Sequence, residues 1–323
     1  MLKEIYKLIQ DDLDKVERKF YEYTNSPIGL VSDIGRYIFR SGGKRIRPAL
    51  MIFSSKLFSY KGEDLIDFAS AVEFIHTASI VHDDIVDNSK LRRGRESIHT
   101  TWGPNITVLL GDFFYITSIK LIVKKENMEV IKVLSETTAN MVEGELWEIS
   151  KIGDINLNEE EYLEIIKKKT ADLFSASCSV GAILSGANED EIKTLAEYGM
   201  NIGMIFQLTD DLLDFISDEK ALGKPVLSDL MEGKITLPLI YLLKQEKEIN
   251  FYKIKAALKD KNFNKSFKDD IVSMIKNEGA DEYVKNVARK FSQSAKKNLD
   301  IFSDSSYKQA LFNLPDIILN RKK

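Results

Sequence analysis

Two short acidic segments have the same pattern: DDIVD at Asp83–Asp87 and DDLLD at Asp210–Asp214, whose first residues are 127 positions apart. Each ends an apolar stretch of helical periodicity, and residues i and i+4 of a helix project from the same face. The spacing therefore predicts a stacked pair of carboxylates in each segment, with Asp84 or Asp211 beside it. Stacked like charges destabilise a helix by roughly 0.2–0.5 kcal/mol. A divalent cation offsets that cost, and Mg²⁺ suits such a site because it binds a few carboxylates together with substrate phosphates.

A single segment of this kind could equally be a solvated helix end. Basic residues, however, occur near both copies. GGKRIRP, residues 42–48, places Lys44, Arg45 and Arg47 at the start of a predicted helix, where cations oppose the helix dipole unless a phosphate lies there. LRRGR, residues 91–95, follows the first acidic segment, and arginine suits bidentate phosphate contacts. Solvated surface loops would have the same composition, so either segment alone leaves that alternative open.

Other site chemistries find less support in the sequence. The three histidines, His76, His82 and His99, fall within 24 residues, but a zinc site is disfavoured because their spacing is not HExxH and no cysteine lies nearby. The single cysteine, Cys178, lies in a stretch of apolar and small residues, which indicates a packed thiol rather than a nucleophile. No GxSxG, Walker A or dinucleotide-binding glycine pattern occurs.

The composition is that of an ordinary globular protein, with 44% hydrophobic and 30% charged residues. A net charge of −4 without basic blocks argues against nucleic acid as a partner. The N-terminal segment is acidic and amphipathic, unlike a targeting peptide. The longest uncharged span, Leu173–Asn188, has 16 residues, fewer than the ~20 that a membrane helix needs. We therefore expect no transmembrane segment and a cytoplasmic location.

Helical periodicity runs through the whole chain, which predicts one all-α domain over residues 1–323. A long helix should end in each acidic segment, and in the second of them Gly199 and Gly203 would let a neighbouring helix approach closely. The first of these helices should begin near residue 64, and the second should span about 189–217. Further helices are predicted near residues 2–24, 29–40, 47–58, 105–124, 127–149, 159–185, 234–245, 265–278 and 281–302.

The chain resembles the trans-isoprenyl diphosphate synthases, and more narrowly the long-chain polyprenyl diphosphate synthases. The resemblance is carried by GGKRIRP, EFIHTASIVHDDIVDNSKLRRGR, FQLTDDLLDF and ALGKP followed by GKITLPLI, which occur in the family order between about Ile28 and Leu243. It implies an isoprenoid-synthase-type helical bundle around a central cavity, usually in a homodimer. It also leaves a small partner subunit open, since some seven-unit synthases of this family use one.

The resemblance further implies a reaction. Family members ionise the C–O bond of an allylic diphosphate, and the double bond of isopentenyl diphosphate attacks the allylic carbocation before a proton is lost. Two to three Mg²⁺ ions and basic side chains stabilise the departing diphosphate, and water must be excluded because it would quench the cation. The product would supply a quinone side chain or a carrier lipid.

Roles at matched positions follow from the same resemblance. The metal ions are expected on Asp83, Asp84, Asp87, Asp210, Asp211 and Asp214. The allylic diphosphate is expected on Arg92, Lys169, Thr170, Gln207, Lys224 and Lys234. Isopentenyl diphosphate is expected on Lys44, Arg47, His76 and Arg93. Turnover should depend most directly on Asp83, Asp87, Arg92, Lys169, Gln207, Asp210 and Lys224.

Product length should depend on the residues before the first acidic segment. Ala78 and Ser79 lie ~6–7.5 Å deeper along the helix than Asp83, and in short-chain relatives at least one of these positions is typically aromatic. Two small residues predict six to ten isoprene units, with seven or eight expected. They would equally permit close helix packing, in which case the floor lies deeper, near Leu134 and Met141.

The sequence bears differently on four other functions. A shorter-chain geranylgeranyl or farnesyl diphosphate synthase would share every motif above. A terpene cyclase would pair one DDxxD with an Asn/Asp-Ser/Thr-Glu motif, which no segment matches, and a head-to-head condensing enzyme leaves GGKRIRP harder to explain. A non-enzymatic helical scaffold would leave both acidic segments as solvated helix ends.

Overall fold

The computed structural model describes residues 2–40, 42–92, 94–217, 225–245, 248–260 and 263–321. Nearly all regular structure in these residues is helical, so the all-α prediction is confirmed. The described residues contain one two-stranded hairpin, β1 (Leu91–Arg92) paired antiparallel with β2 (Arg95–Glu96), in the loop that follows the first acidic segment.

The helices of the described residues are, in chain order, α1 (Leu2–Tyr6), α2 (Gln10–Thr24), α3 (Gly29–Arg40), α4 (Ile46–Leu57), α5 (Asp64–Val86), α6 (Ile98–Trp102), α7 (Pro104–Val123), α8 (Met128–Ser150), α9 (Glu159–Ile166), α10 (Asp172–Leu184), α11 (Glu189–Ile216), α12 (Ser228–Met231), α13 (Leu237–Lys244), α14 (Glu248–Asp260), α15 (Lys265–Asn277), α16 (Ala280–Asn298) and α17 (Ser306–Leu319). Short 3₁₀ turns occupy Lys7–Ile9 and Leu299–Ile301, and a π-helical turn at Lys167–Ala171 joins α9 to α10.

Several elements of the structure differ from the predicted helices. The span 159–185 is not one helix, because the π turn interrupts it. Helices α6, α12, α14 and α17 lie outside the predicted ranges, and the 3₁₀ turn at Lys7–Ile9 interrupts the predicted helix 2–24. In α17 the reason is physical: Pro315 lies inside the helix, where proline ordinarily removes a backbone hydrogen bond and disfavours helix formation.

Two helices position the acidic segments, and both are held by the core. α5 packs along α7, while α11 packs along α10 and α16. α11 contributes its first half to one buried apolar cluster and its second half to another, so its acidic end is anchored from both sides. The predicted close approach of a neighbour is confirmed, since a Cβ on Gly199 would lie 2.4 Å from the Phe174 carbonyl oxygen and one on Gly203 2.4 Å from Ala171 Cα.

Among the described residues, α7 is the one helix whose length and apolar composition alone would suffice to cross a membrane. One side of α7 packs on α5, where Phe114 meets Phe74 with ring centroids 5.9 Å apart. On the other side Leu109, Ile116 and Val123 are exposed. The expectation of no transmembrane segment therefore stays a prediction.

Candidate active site

The first acidic segment lies at the end of α5, and its three aspartates differ in burial. Asp83 and Asp87 lie one turn apart on the same face and are half-buried. Asp84 points elsewhere and is buried, and it accepts a hydrogen bond from Arg92 Nε at 2.5 Å. Burial raises the pKa of Asp84, although Arg92 acts in the opposite direction. Asp83 and Asp87 are thus the less buried carboxylates of this segment.

The second acidic segment divides in a similar way. Asp210 keeps a partly exposed side chain, whereas Asp211 and Asp214 are buried. Asp211 accepts hydrogen bonds from the Tyr162 hydroxyl at 2.5 Å and from Gln207 Nε2 at 2.6 Å. Burial, together with the charge of Asp229, raises the pKa of Asp211 to about 8.

Asp214 is fully buried and anchors the segment that follows α11. Its two oxygens accept from the Ser228 hydroxyl at 2.7 Å and from the backbone N–H of Asp229 at 3.2 Å. Asp211 and Asp214 are therefore buried with hydrogen-bond donors, whereas Asp210 is the partly exposed carboxylate of this segment. The assignment of all six aspartates to metal stays a prediction.

Lys169 and Thr170 lie in the π turn, a distortion that often marks functional sites. The turn is held between two glycines, because a Cβ on Gly144 would lie 2.6 Å from Lys169 N and one on Gly203 would collide with Ala171. From this position the Thr170 hydroxyl donates to Gln207 Oε1 at 2.9 Å. The π turn therefore links α8 to the acidic end of α11.

Lys169 and Lys234 are joined by carboxylates that the sequence analysis did not single out. Lys169 Nζ lies 2.7 Å from Glu145 Oε2 and 2.5 Å from Glu148 Oε2. Lys234 Nζ lies 2.7 Å from Asp87 Oδ1 and 3.7 Å from Glu148. Glu145 and Glu148 stand three residues apart on α8, and that i,i+3 spacing was the signal available in the sequence.

The charge at the end of α5 suits a divalent cation. Burial raises the pKa of Asp83 to about 7, and the charges of Glu145 and Asp87 add to this, although Lys169 opposes them. Glu145 Oε1 is buried without a hydrogen-bond partner. A metal ion would relieve both the crowding of negative charge and the unpaired oxygen. The described residues gather no three His, Cys, Asp or Glu side chains into a ready-made metal cage, and Mg²⁺ bound partly through substrate phosphates does not need one.

The two arginines of the GGKRIRP segment have different surroundings. Arg45 has a left-handed backbone, with φ of 48°, and its guanidinium pairs with Glu73 at 2.6 Å, so it fixes the loop. Arg47, in the first turn of α4, is buried over the Phe174 ring at 4.3 Å, and its Nη1 lies 3.0 Å from His76 Nε2. Burial lowers the pKa of Arg47 to about 10, against the opposing charges of Glu73 and Asp210. Lys44 is exposed.

Arg321, just after α17, reaches this site and was missed from the sequence. Its Nη2 lies 2.5 Å from Asp210 Oδ1 and donates to the Phe206 carbonyl oxygen at 2.7 Å. Its guanidinium lies over the Phe206 ring at 4.1 Å, and the Phe206 and Phe174 rings are 5.3 Å apart. Nothing in the local sequence distinguishes Arg321 from a surface residue.

The remaining predicted positions are as follows. Arg93 and Lys224 lie outside the described residues. Ala78 is buried and Ser79 is half-buried, and Ala78, Leu134 and Met141 belong to the same apolar cluster.

The three histidines have separate neighbours: Arg47 for His76, the Val108 carbonyl for His82 and the Ser97 hydroxyl for His99. Burial raises the pKa of the Cys178 thiol to about 12.

Comparison with known proteins agrees with this geometry. The family model for polyprenyl synthetase matches residues 29–275. An octaprenyl diphosphate synthase from Haemophilus influenzae is 35% identical over 98% of this chain and 96% of its own length. Component 2 of a heptaprenyl diphosphate synthase from Bacillus subtilis is 38% identical over 74% of this chain and 69% of its own. A geranylgeranyl diphosphate synthase from Sulfolobus acidocaldarius is 34% identical over 93% of this chain and 94% of its own.

Solved structures include a polyprenyl synthase from Caulobacter crescentus complexed with calcium and isoprenyl diphosphate. It is 31% identical, with a TM-score of 0.96 over 100% of this chain and 98% of that one. The bundle, the paired acidic helix ends and these matches agree, and the chain belongs to the polyprenyl synthetase family of prenyltransferases.

Proposed function

We propose that this chain condenses isopentenyl diphosphate head-to-tail onto an allylic diphosphate, with Mg²⁺, and releases a long all-trans polyprenyl diphosphate. The observation that carries the proposal is a set of buried polar atoms without hydrogen-bond partners: Arg47 Nε, Arg321 Nε and Nη1, and Glu145 Oε1. Each unpaired buried group costs about 1–3 kcal/mol. Unpaired guanidinium donors suit a diphosphate, and an unpaired carboxylate oxygen suits the metal ion that accompanies it.

The allylic diphosphate would bind between the two acidic segments. Asp83, Asp87 and Asp210 would hold Mg²⁺, which supplies Lewis-acid stabilisation of the leaving diphosphate. Lys169 and Lys234 are already fixed near the end of α5 by carboxylates. Such preorganised cations stabilise the negative charge that grows as the C–O bond breaks. The calcium and isoprenyl diphosphate in the Caulobacter crescentus relative support this assignment.

Isopentenyl diphosphate would bind on the α4 side. Arg47 is fixed there by Phe174 and His76, and its unpaired Nε needs an acceptor. Exposed Lys44 stands three residues earlier. Positioning two substrates in this way removes much of the entropic cost of their encounter.

The proposed product has six to ten isoprene units, with seven or eight expected. Small residues at 78 and 79 support it, as does the near full-length similarity to an octaprenyl diphosphate synthase. The second candidate is a geranylgeranyl diphosphate synthase, which the similarity to the Sulfolobus acidocaldarius enzyme favours.

The same proposal includes a homodimer formed through α7. Leu109, Ile116 and Val123 recur every seven residues along its outer side and are exposed, and Leu146 of α8 is exposed as well. A long apolar stripe of this kind is typical of a subunit interface. Sedimentation of Ile116→Asp as a monomer, against a wild-type dimer, would support this arrangement.

Incorporation of radiolabelled isopentenyl diphosphate into a butanol-extractable product tests the function. The purified chain should need Mg²⁺ and an allylic primer, and chromatography of the dephosphorylated product gives its length. Geranylgeranyl as the longest product would select the second candidate. Incorporation only after a cell extract is added would show that a partner subunit is required, as the name of the Bacillus subtilis relative suggests for that enzyme. No incorporation under any of these conditions would overturn the proposal.

A further inference from the structure

Arg321 and Asp210 form an ion pair with an unusual degree of enclosure. The Arg321 side chain is 10% exposed. It is held by the Asp210 carboxylate, the Phe206 carbonyl oxygen and the face of the Phe206 ring. Exposed ion pairs contribute little because solvent and side-chain entropy compete with them. This guanidinium is stacked and shielded, so it competes for Asp210 more strongly than an exposed cation would.

The pair occupies the oxygen that a metal ion would need. Asp210 is the accessible aspartate of the second acidic segment, since Asp211 and Asp214 have internal hydrogen-bond donors. A guanidinium 2.5 Å from Asp210 Oδ1 occupies a lone pair of that oxygen and repels a second cation. Metal and Arg321 therefore compete for one carboxylate.

Arg321 is also incompletely paired where it stands. Its Nε and Nη1 are buried without acceptors while Nη2 contacts Asp210. Lys234 differs, because its ammonium contacts Glu232 at 3.0 Å as well as Asp87. Unpaired donors lower the stability of the arrangement, which favours departure of the guanidinium when an ion competes for Asp210.

We infer that Arg321 is an internal counter-ion of the second acidic segment, which holds Asp210 in the metal-free chain and must leave it before a metal ion binds there. The inference rests on the proposed function. It makes Arg321 a positioning residue that sets the metal concentration at which the site fills. It also couples metal binding to movement of the Arg321 side chain.

Direct binding of Mn²⁺ to the full-length chain, followed by the loss of the free-ion paramagnetic resonance signal, tests the inference without turnover. Arg321→Gln should bind Mn²⁺ roughly five- to tenfold more tightly than wild type, because the competing cation is gone. Lys296→Gln is the matched control, since Lys296 also pairs with a carboxylate, Asp316 at 2.6 Å, and lies over an aromatic ring, Phe312. Its Mn²⁺ affinity should equal that of wild type.

A second comparison tests whether the expected gain in Mn²⁺ affinity depends on the Asp210 carboxylate. In the Asp210→Asn background, Arg321→Gln should no longer change the Mn²⁺ affinity, as a double-mutant cycle requires for a direct interaction. An unchanged affinity in the single variant, or a weaker one, would overturn the counter-ion role while leaving the proposed function intact. A gain that survives in Asp210→Asn would overturn it too. Failure of the proposed function would appear separately, as absence of isopentenyl diphosphate incorporation by wild type.

Discussion

The ammonium of Lys234 lies 2.7 Å from Asp87 Oδ1, although the two residues are 147 positions apart in the chain. The same ammonium contacts Glu232 and approaches Glu148 of α8. Burial alone would lower the pKa of Lys234, but Glu148, Asp87 and Glu232 outweigh it and raise that pKa. The cation is therefore charged and in place before any substrate binds, which is the preorganisation that electrostatic catalysis requires.

The two ends of the second acidic segment should respond differently to the same substitution. Asp210→Asn should lower kcat by a factor of roughly a thousand, since several kcal/mol of metal-borne stabilisation is lost, and should leave the free energy of unfolding nearly unchanged. Asp214→Asn should instead lower that free energy by about 2–4 kcal/mol, because it disturbs a buried acceptor of two hydrogen bonds.

Urea denaturation and the incorporation assay, run on both variants, measure the two effects. The distinction would be wrong if Asp214→Asn were as stable as wild type, or if Asp210→Asn kept near-normal turnover. Asp83→Ala should behave like Asp210→Asn, because it also removes an accessible carboxylate and relieves a like-charge pair.

Sequence patterns predict the helices that end in the acidic segments, because apolar periodicity and i,i+4 spacing are local properties. They did not foresee that Asp84 would be tied to Arg92 or that Asp214 would anchor Ser228. Those bonds depend on how loops return to the helices. The π turn was hidden for a similar reason, since the glycines that accommodate it lie on α8 and α11 rather than beside it. Arg321 had no local signal at all.

Substitutions in the two arginine-containing segments should change different kinetic constants. Arg47→Ala should raise the KM for isopentenyl diphosphate about tenfold or more and change the KM for the allylic primer little, because Arg47 lies on the α4 side with His76. Arg92→Ala should act mainly on the allylic substrate or on kcat, since Arg92 contacts Asp84 in the last turn of α5. Initial rates with each substrate varied in turn provide the measurement. Equal effects of both substitutions on both substrates would contradict the assignment.

Stability of the metal-free chain should fall as pH rises from about 4 to about 7. A carboxyl group in an unfolded chain titrates near 3.9, whereas burial and the charges of Glu145 and Asp87 place the pKa of Asp83 at about 7. Between these values the folded chain holds a proton that the unfolded chain has lost. The stabilisation is therefore complete below pH 4 and disappears as pH rises through the folded pKa.

Urea denaturation in EDTA between pH 4 and pH 7 would measure the slope of unfolding free energy against pH. Asp83→Asn should remove roughly 1–3 kcal/mol of the change, while Asp211, which has a raised pKa as well, contributes to both proteins. Asp304→Asn, at a fully solvated side chain, is the control and should keep the wild-type slope. A wild-type slope in Asp83→Asn would show that Asp83 titrates normally.

Gly144→Ala should damage the site through the π turn. The new Cβ would lie 2.6 Å from the Lys169 backbone nitrogen and 2.9 Å from Lys168 Cβ, so the turn must shift. We expect a loss of about 1–3 kcal/mol in unfolding free energy and a fall in kcat of roughly 10–100-fold, because Lys169 is displaced. Gly29→Ala meets nothing within 4 Å and should leave kcat unchanged. Normal turnover in Gly144→Ala would mean that the position of Lys169 is not critical.

The position of Ala78 in the structure bears on the length of the product. Ala78 is one helical turn from Phe74, which packs on Phe114 of α7, and one turn from His82, which lies against Gly111 of the same helix. Ala78 is therefore at the α5–α7 boundary, below the accessible aspartates of α5. Under the proposed function the growing chain enters along this boundary, and an aromatic ring at position 78 would block it.

Ala78→Tyr should shorten the product to three or four isoprene units and largely spare the first condensation, because the substitution touches none of the charged side chains. Reversed-phase chromatography of the dephosphorylated products measures this, with Ser79→Ala as a control that should keep the wild-type length. If Ala78→Tyr folds poorly, Ser79→Phe tests the same boundary from the half-buried side of α5. A wild-type product distribution from a folded aromatic variant would place the chain on another path, with its floor near Leu134 and Met141 of α8.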